Sequence, residues 1–554
     1  MNWLNWISTF ILAKICKKSV NTFRQSKKIM GFMNFSRLRR IFLTRDLGLV
    51  LALFCLIPLF GHSAAAQSSL PMGIEQAIKR SGIPKDSISI AVSEIPSSAN
   101  PKPESRTILN WRDEMAMNPA STIKLLTTLV ALDILGPKYR WRTELFTDGA
   151  IKNGTLKGNI YFVGHGDPKW IPEELDRLTK QLRALGIQRI DGNLVFDRSA
   201  YAKQVMEEVT IDGETLRAYN VPPDPLLYAF RTLSFQINPN KNGDGFQISY
   251  TPKLARLSIQ NDILMSSAPC DGAKRNLRLE MVPNPLELAS SQVKNKSAIQ
   301  WQAIFTGELA QNCQGVTFNV VKFDPDTFLT LGFTAAWEEA GGLWVRPPRG
   351  QAGSVPVYAR PLLSVEGLSL LEAAKDINKF SNNVMARQVF LTLALEKIGK
   401  PADIESAKGV VQAWLNQRGL DFPELVIENG SGLSRNEAIS ARNLNSLLIS
   451  AQNLPIAETF TATLPAAGSE GTMRNRLITQ LRKFLHLKKK PEARIKTGSL
   501  NNVRTISGYV FSKSGRIYAV TSFINDPKAN RGQEVHDQLL TWLLEDGPDP
   551  KDAR

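Results

Sequence analysis

The chain has no apolar run long enough to cross a bilayer comfortably, no heptad array and no repeat of roughly 20–50 residues, which argues against a polytopic membrane protein, a coiled coil or a solenoid. Histidine is scarce, with four in 554 residues and no G-x-S-x-G elbow, so a Ser-His-Asp hydrolase lacks its usual parts. Cysteine is equally scarce, with four and no C-x-x-C pair, which argues against a redox motif or a zinc site. Zinc-finger spacing, a basic zipper and an RNA-recognition signature are missing too, so the net charge of +17 has no nucleic-acid motif behind it. What is present is an ordinary globular composition, 43% apolar and 21% charged. At roughly 150 residues per domain the length suggests about two to four domains.

Much of the positive charge sits at the beginning. Ten Lys/Arg and one Asp fall in residues 1–66, so the remainder carries only +8. Arg37, Arg39, Arg40 and Arg45 precede the 14-residue apolar run Leu47–Phe60, and Ala64-Ala65-Ala66 follows it. A basic region, a short apolar stretch and a small-residue site form an export signal, with cleavage expected after Ala66. An uncleaved anchor is the alternative. The signal has an unusually long basic preface, and the true start is either Met1 or Met33. The mature chain is then expected in the bacterial periplasm or cell envelope, where mild basicity suits anionic envelope polymers better than nucleic acid.

Cys16 and Cys55 lie in the removed segment. Cys270 and Cys313 remain as a disulfide candidate in an oxidising compartment, with two buried free thiols as the alternative.

Along the chain, residues 118–136 predict one helix, with Asn118 as N-cap, Pro119 at its first position, Gly136 as its stop and Ile123, Leu126, Val130 and Ile134 in one stripe. Residues 141–200 predict short strands around a helix at 172–185, and 225–345 is rich in alternating β patterns. A Pro/Gly cluster at 341–355 marks a boundary. Three helical segments follow, then strands at RIKTG and across 503–526, and a final helix near 532–545. The organisation is an α/β domain, 67–143 plus 356–548, split by a β-rich insertion at 144–355 of two subdomains. The basic run Arg482, Lys483, Lys488, Lys489 and Lys490 is a solvated loop or a contact for anionic wall polymer. His165 near Asp167 fits a turn better than a metal site, and no metal or other cofactor is expected.

Three short motifs carry chemistry. Ser121-Thr122-Ile123-Lys124 places an amine three residues after a hydroxyl, on the same helical face. A lysine whose pKa is lowered by burial or a nearby cation can activate such a serine, and the helix N-terminus favours a developing oxyanion. Ser381-Asn382-Asn383 offers a hydroxyl for proton relay and an amide to hold a substrate amide. Lys496-Thr497-Gly498 offers a cation for a substrate carboxylate on a strand whose glycine lets substrate backbone approach. Each tripeptide or tetrapeptide alone is common: an exposed helix face, an N-cap turn, a strand end.

In the order S-x-x-K, S-x-N, K-T-G they match the signature of serine β-lactamases and penicillin-binding proteins. The chain resembles the low-molecular-mass class C penicillin-binding proteins, the D-alanyl-D-alanine carboxypeptidase/endopeptidase family. Gly164–Pro168, Glu428–Arg435, Leu464-Pro465 and Gly471–Arg474 extend the likeness over most of 70–545. The resemblance implies an α/β (α+β) penicillin-binding/β-lactamase-like transpeptidase fold with its long β-rich insertion between the first and second motifs.

It implies roles as well. Ser121 attacks the penultimate D-Ala carbonyl, Lys124 is the general base, and Ser381 relays the proton to the departing amine. Asn383 holds the acyl-side amide, while Lys496 and Thr497 of the K-T-G strand bind the terminal carboxylate. The backbone N–H groups of Ser121 and Ser499 form the oxyanion hole. The substrates expected are peptidoglycan stem peptides or their cross-links, with β-lactams as covalent inhibitors. A class C-like β-lactamase and a catalytically silent peptidoglycan-binding protein are the rival readings. Oligomeric state and stem-peptide preference are not legible.

Overall fold

The computed structural model describes residues 69–547, apart from 97–103, 209–210, 212, 214–216, 268, 271 and 284–298. The segment read as an export signal, with both candidate start residues, lies outside the described residues.

Strands from the two ends of the described chain complete one antiparallel sheet. They are β1 (Ile88–Ile95), β2 (Arg106–Trp111), β3 (Glu492–Leu500), β4 (Val503–Phe511) and β5 (Ile517–Asn525), in the order β2-β1-β5-β4-β3. Side chains alternate across a strand, so each face needs its own cover. Ile88, Ile90, Val92, Ile506, Val510, Val520 and Ile524 pack beneath α1 (Met72–Ser81) and the C-terminal helix Gln533–Leu544. Ala91, Tyr509, Ala519 and Phe523 face a helical layer on the other side. All eight residues of β1 are buried, as a strand covered on both faces must be.

That helical layer contains α2 (Lys124–Leu135), α3 (Leu370–Phe380), α4 (Asn383–Lys397), α5 (Ile404–Gln417) and α6 (Ala441–Ala451). The starts of α3 to α6 are capped by side chains. Ser369 and Glu372 form a capping box on α3, Asn382 Oδ1 accepts from Met385 N at 3.0 Å on α4, and Asp403 Oδ1 accepts from Ser406 N at 2.7 Å on α5.

The α2 region differs from the sequence expectation in two ways. Residues Ala120–Ile123 form a 3₁₀ turn ahead of the α-helix, and Asn118 does not cap it in the usual manner. Its Oδ1 accepts from Ala120 N at 2.8 Å, while its own N–H groups are bound by or donate to Asn525, Ser434 and Arg435. And α2 is not amphipathic: every residue from Lys124 to Leu132 is buried, because α3 and α4 pack around it. A one-sided stripe is the pattern of a surface helix, whereas this one is central.

Between α2 and α3 the chain leaves through the strand Arg140–Thr147 and returns through Arg360–Ser369, which pair antiparallel. They belong to a five-stranded sheet in the order Gly350–Ala352, Leu194–Asp197, Ile160–Gly164, Arg140–Thr147, Arg360–Ser369. Beside it lie a smaller four-stranded sheet, two three-stranded sheets and the helices Pro172–Ala184 and Pro325–Glu339. Leu145, Phe162, Trp170, Phe196, Phe235, Phe305, Phe333 and Trp337 give this β-rich part its own core. A disulfide joins Cys270 to Cys313, whose Cα atoms are 5.3 Å apart. Among the described residues, no helix is long and apolar enough to cross a membrane.

Candidate active site

All three motifs meet between β3 and the helical layer. Ser121 sits in the 3₁₀ turn, 9% exposed, and Lys124 begins α2, fully buried. The spacing of three brings Lys124 Nζ to 2.8 Å from Ser121 Oγ. The same Nζ donates to Asn383 Oδ1 at 2.7 Å and to the Ser431 carbonyl. Asn383 is the first residue of α4, and its Nδ2 donates to the Tyr219 carbonyl at 3.3 Å.

On the facing strand Lys496 is also fully buried, and its Nζ donates to Ser381 Oγ at 2.9 Å and to the Thr497 carbonyl at 2.6 Å. Ser381 ends α3 in the left-handed conformation, φ +59°, which turns the chain sharply into α4 and faces its hydroxyl to Lys496. The K-T-G residues lie in the second half of β3 rather than opening it. The strand is at the edge of its sheet, and its first half is covered by the preceding loop: Ala467 N donates to the Ala493 carbonyl and Ile495 N to the Pro465 carbonyl. Outward backbone groups recur every second residue, so those of Thr497 and Ser499 continue along the same edge.

Both amines are buried, and both are held below the usual lysine range. Lys124 is held well below the usual lysine range, first by burial and then by the charge of Lys496, with Glu437 pulling the other way. Burial lowers Lys496 to about 7. A neutral Lys124 has two N–H groups for Asn383 Oδ1 and the Ser431 carbonyl, leaving its lone pair for the Ser121 proton. Glu437 is itself buried and pushed up to about 7 by that burial, with only long contacts to the backbone N–H groups of Glu428 and Asn429.

Two glycines hold the nucleophile turn. At Gly498 a Cβ would lie 2.2 Å from Thr505 Oγ1 and 2.9 Å from both the Pro119 carbonyl and Ser121 N. Its missing side chain therefore makes room for the Ser121 turn. At Gly432, φ +77°, a Cβ would lie 2.0 Å from the carbonyl of Ala120, a residue itself held at φ +44°. Gly432→Ala is expected to lower Tm and to slow acylation of Ser121 by around 100-fold, since shifting a reacting group by about 1 Å costs that much. Thermal melts and penicillin acylation kinetics would check both.

The backbone acceptor at Ser431, the buried Glu437 and Thr472, whose Oγ1 accepts from Thr497 Oγ1 at 2.8 Å, belong to none of the three sequence motifs. In the sequence, the loop carrying Ser431 stands out only as a family-like segment. His165 pairs with Glu144 Oε2 at 3.0 Å, away from the three motifs.

A family model described as D-Ala-D-Ala carboxypeptidase 3 (S13) matches residues 74–545. The chain belongs to that family. It is a serine-type D-Ala-D-Ala carboxypeptidase, a hydrolase of the penicillin-binding kind. It is 26% identical over 428 residues to D-alanyl-D-alanine carboxypeptidase DacB of Haemophilus influenzae, covering 76% of this chain and 83% of the relative. To the D-alanyl-D-alanine carboxypeptidase of Actinomadura sp. (strain R39) it is 27% identical over 410 residues, 72% of each. The solved penicillin binding protein 4 of Haemophilus influenzae superposes with a TM-score of 0.62 at 22% identity, over 86% of this chain and 100% of that one. The same protein solved in complex with a β-lactam superposes at 0.59 and 21% identity. The mixed α/β architecture, with its insertion, is thus a penicillin-binding protein fold.

Proposed function

We propose that Ser121 is the nucleophile of this carboxypeptidase and that hydrolysis proceeds through an acyl-enzyme on its Oγ. The observation that carries the reading is Lys124 Nζ, buried and poised 2.8 Å from Ser121 Oγ and 2.7 Å from Asn383 Oδ1. Oγ bonds to the carbonyl carbon of the penultimate D-Ala as its proton passes to Lys124 Nζ. The N–H groups of Ser121 and Ser499 receive the oxyanion, and Asn383 Nδ2 holds the acyl-side carbonyl. The C–N bond then breaks, and Ser381 relays a proton to the D-Ala amine. Water hydrolyses the ester and restores the hydroxyl. Lys496 and Thr497 bind the terminal carboxylate. A β-lactam enters by the same attack and stays on Ser121 because its ester deacylates slowly.

The setting proposed is the bacterial periplasm, after removal of residues 1–66, with peptidoglycan stem peptides as substrate. Residues 67–143 and 356–548 form the catalytic part, and 144–355 an accessory part that shapes access. Cutting of cross-links at the same site is included, since a cross-link also joins a D-Ala carbonyl to an amine.

Release of D-Ala from an N-acylated L-lysyl-D-alanyl-D-alanine peptide tests the activity at this site, and conversion of cross-linked muropeptide dimers to monomers tests the endopeptidase arm. Rapid turnover of penicillin instead would favour the β-lactamase reading, and loss of all reactivity the silent one.

A pH dependence follows from the two lysines. Carboxylate binding needs Lys496 charged, and Lys496 in the free enzyme loses its proton near pH 7. Therefore kcat/KM for the free-acid peptide is expected to fall above about pH 7 through a rising KM, about tenfold per unit at the steep limit. A C-terminal carboxamide substrate should lack this alkaline limb. Identical profiles for the two substrates would contradict the assignment of Lys496.

A further inference from the structure

The turn Gly471–Met473 is clamped from both sides. Glu470 Oε1 accepts from Lys379 Nζ at 2.7 Å and Oε2 from Ala466 N at 3.1 Å. Gly471, at φ +45°, sits so close to α3 that a Cβ would lie 2.0 Å from the Lys379 carbonyl. Met473 is fully buried. Lys379 is two residues before Ser381, so this turn and the Ser381 hydroxyl are fixed to the same helix end.

Between these anchors Thr472 is exposed, and its Oγ1 receives the Thr497 hydroxyl at 2.8 Å. Thr497 is the neighbour of Lys496, and both belong to the carboxylate site of the proposed function. A carboxylate has two oxygens with about four acceptor positions, and Lys496 already gives two of its three N–H groups to Ser381 Oγ and the Thr497 carbonyl, so it and the Thr497 hydroxyl leave acceptor positions unfilled. A second hydroxyl, already placed and held by a rigid turn, adds a donor without a further ordering cost.

We propose that Thr472 is a third ligand of the substrate's C-terminal carboxylate, its hydroxyl donating beside those of Lys496 and Thr497. In the free enzyme Thr497 gives its proton to Thr472. When a carboxylate arrives, both hydroxyls rotate toward it, and the bond between them is exchanged for two charge-assisted ones. No covalent bond changes. Thr472 thereby contributes to the choice of a free carboxylate over a blocked chain end. This rests on Lys496 and Thr497 being the carboxylate site.

The test compares kcat and KM on an N-acylated L-lysyl-D-alanyl-D-alanine peptide and on its C-terminal carboxamide, for the wild type, Thr472→Val, Thr472→Ala and Thr472→Ser. The Val and Ala variants are expected to lower the acid-over-amide preference about tenfold, mainly through KM on the acid, while Ser keeps it within about twofold. Using both Val and Ala guards against one of them failing to fold. A wild-type preference for the acid that Val and Ala leave unchanged would overturn the role of Thr472 alone, including the case where both substrates slow equally. A wild type with no preference for the acid would overturn the carboxylate site itself, and Thr472 with it.

Discussion

Replacing Ser121 with alanine is expected to reduce D-Ala release at least about 10⁴-fold and to abolish covalent labelling by benzylpenicillin, because no other group can form the ester. Ser121 is small, 9% exposed, and sits in a turn held by Asn118, Gly432 and Gly498, so the variant should fold with nearly unchanged Tm. The Lys124 ammonium or amine keeps Asn383 and Ser431 as partners in that variant. Substrate should still bind through Lys496, so Ser121→Ala is expected to retain peptide affinity while losing kcat. Residual labelling of the variant would place the acylation elsewhere.

The second large effect is expected at Lys124. Lys124→Met keeps a long unbranched side chain but removes the base, and kcat/KM should fall about 10²- to 10⁴-fold. Lys124→Arg should not rescue it, although it retains a positive charge. A guanidinium stays protonated at every accessible pH and cannot accept the Ser121 proton. The two variants separate a base from a mere counter-charge: if Arg restored penicillin acylation, Lys124 would act by charge alone. The Met variant also leaves Asn383 Oδ1 and the Ser431 carbonyl without their buried donor, which should cost about 1–3 kcal/mol of stability, read by denaturant melts.

The motifs themselves were legible in the sequence because their chemistry lives in side-chain identity. Ser121 and Lys124 are three residues apart, and a spacing of three brings them together in the 3₁₀ turn as it would in an α-helix. Their meeting with Asn383, 259 positions after Lys124, and the meeting of Ser381 with Lys496, 115 positions on, could be inferred only through the resemblance, since nothing local encodes either pairing. The strands Val503–Phe511 and Ile517–Asn525 and the final helix Gln533–Leu544 lie where the sequence places strands across 503–526 and a helix near 532–545.

What stayed hidden was of three physical kinds. Ser431 acts through its carbonyl, and a backbone acceptor leaves no mark on residue type. Gly432 and Gly498 matter because other backbone approaches them, which only the assembled fold reveals. The apolar stripe on α2 was real but incomplete: Leu125, Leu129 and Leu132 are buried too, because the helix lies at the centre of the layer. Thr472 reaches Thr497 only because Glu470 and Gly471 fasten their turn to the end of α3.

Intact-mass analysis of the mature protein after incubation with benzylpenicillin, followed by mapping of the modified peptide, tests the central claim most directly. The account predicts one lasting penicilloyl group per chain, located on Ser121. A chain that stays unmodified while penicillin survives, or an adduct on any other residue, would contradict it.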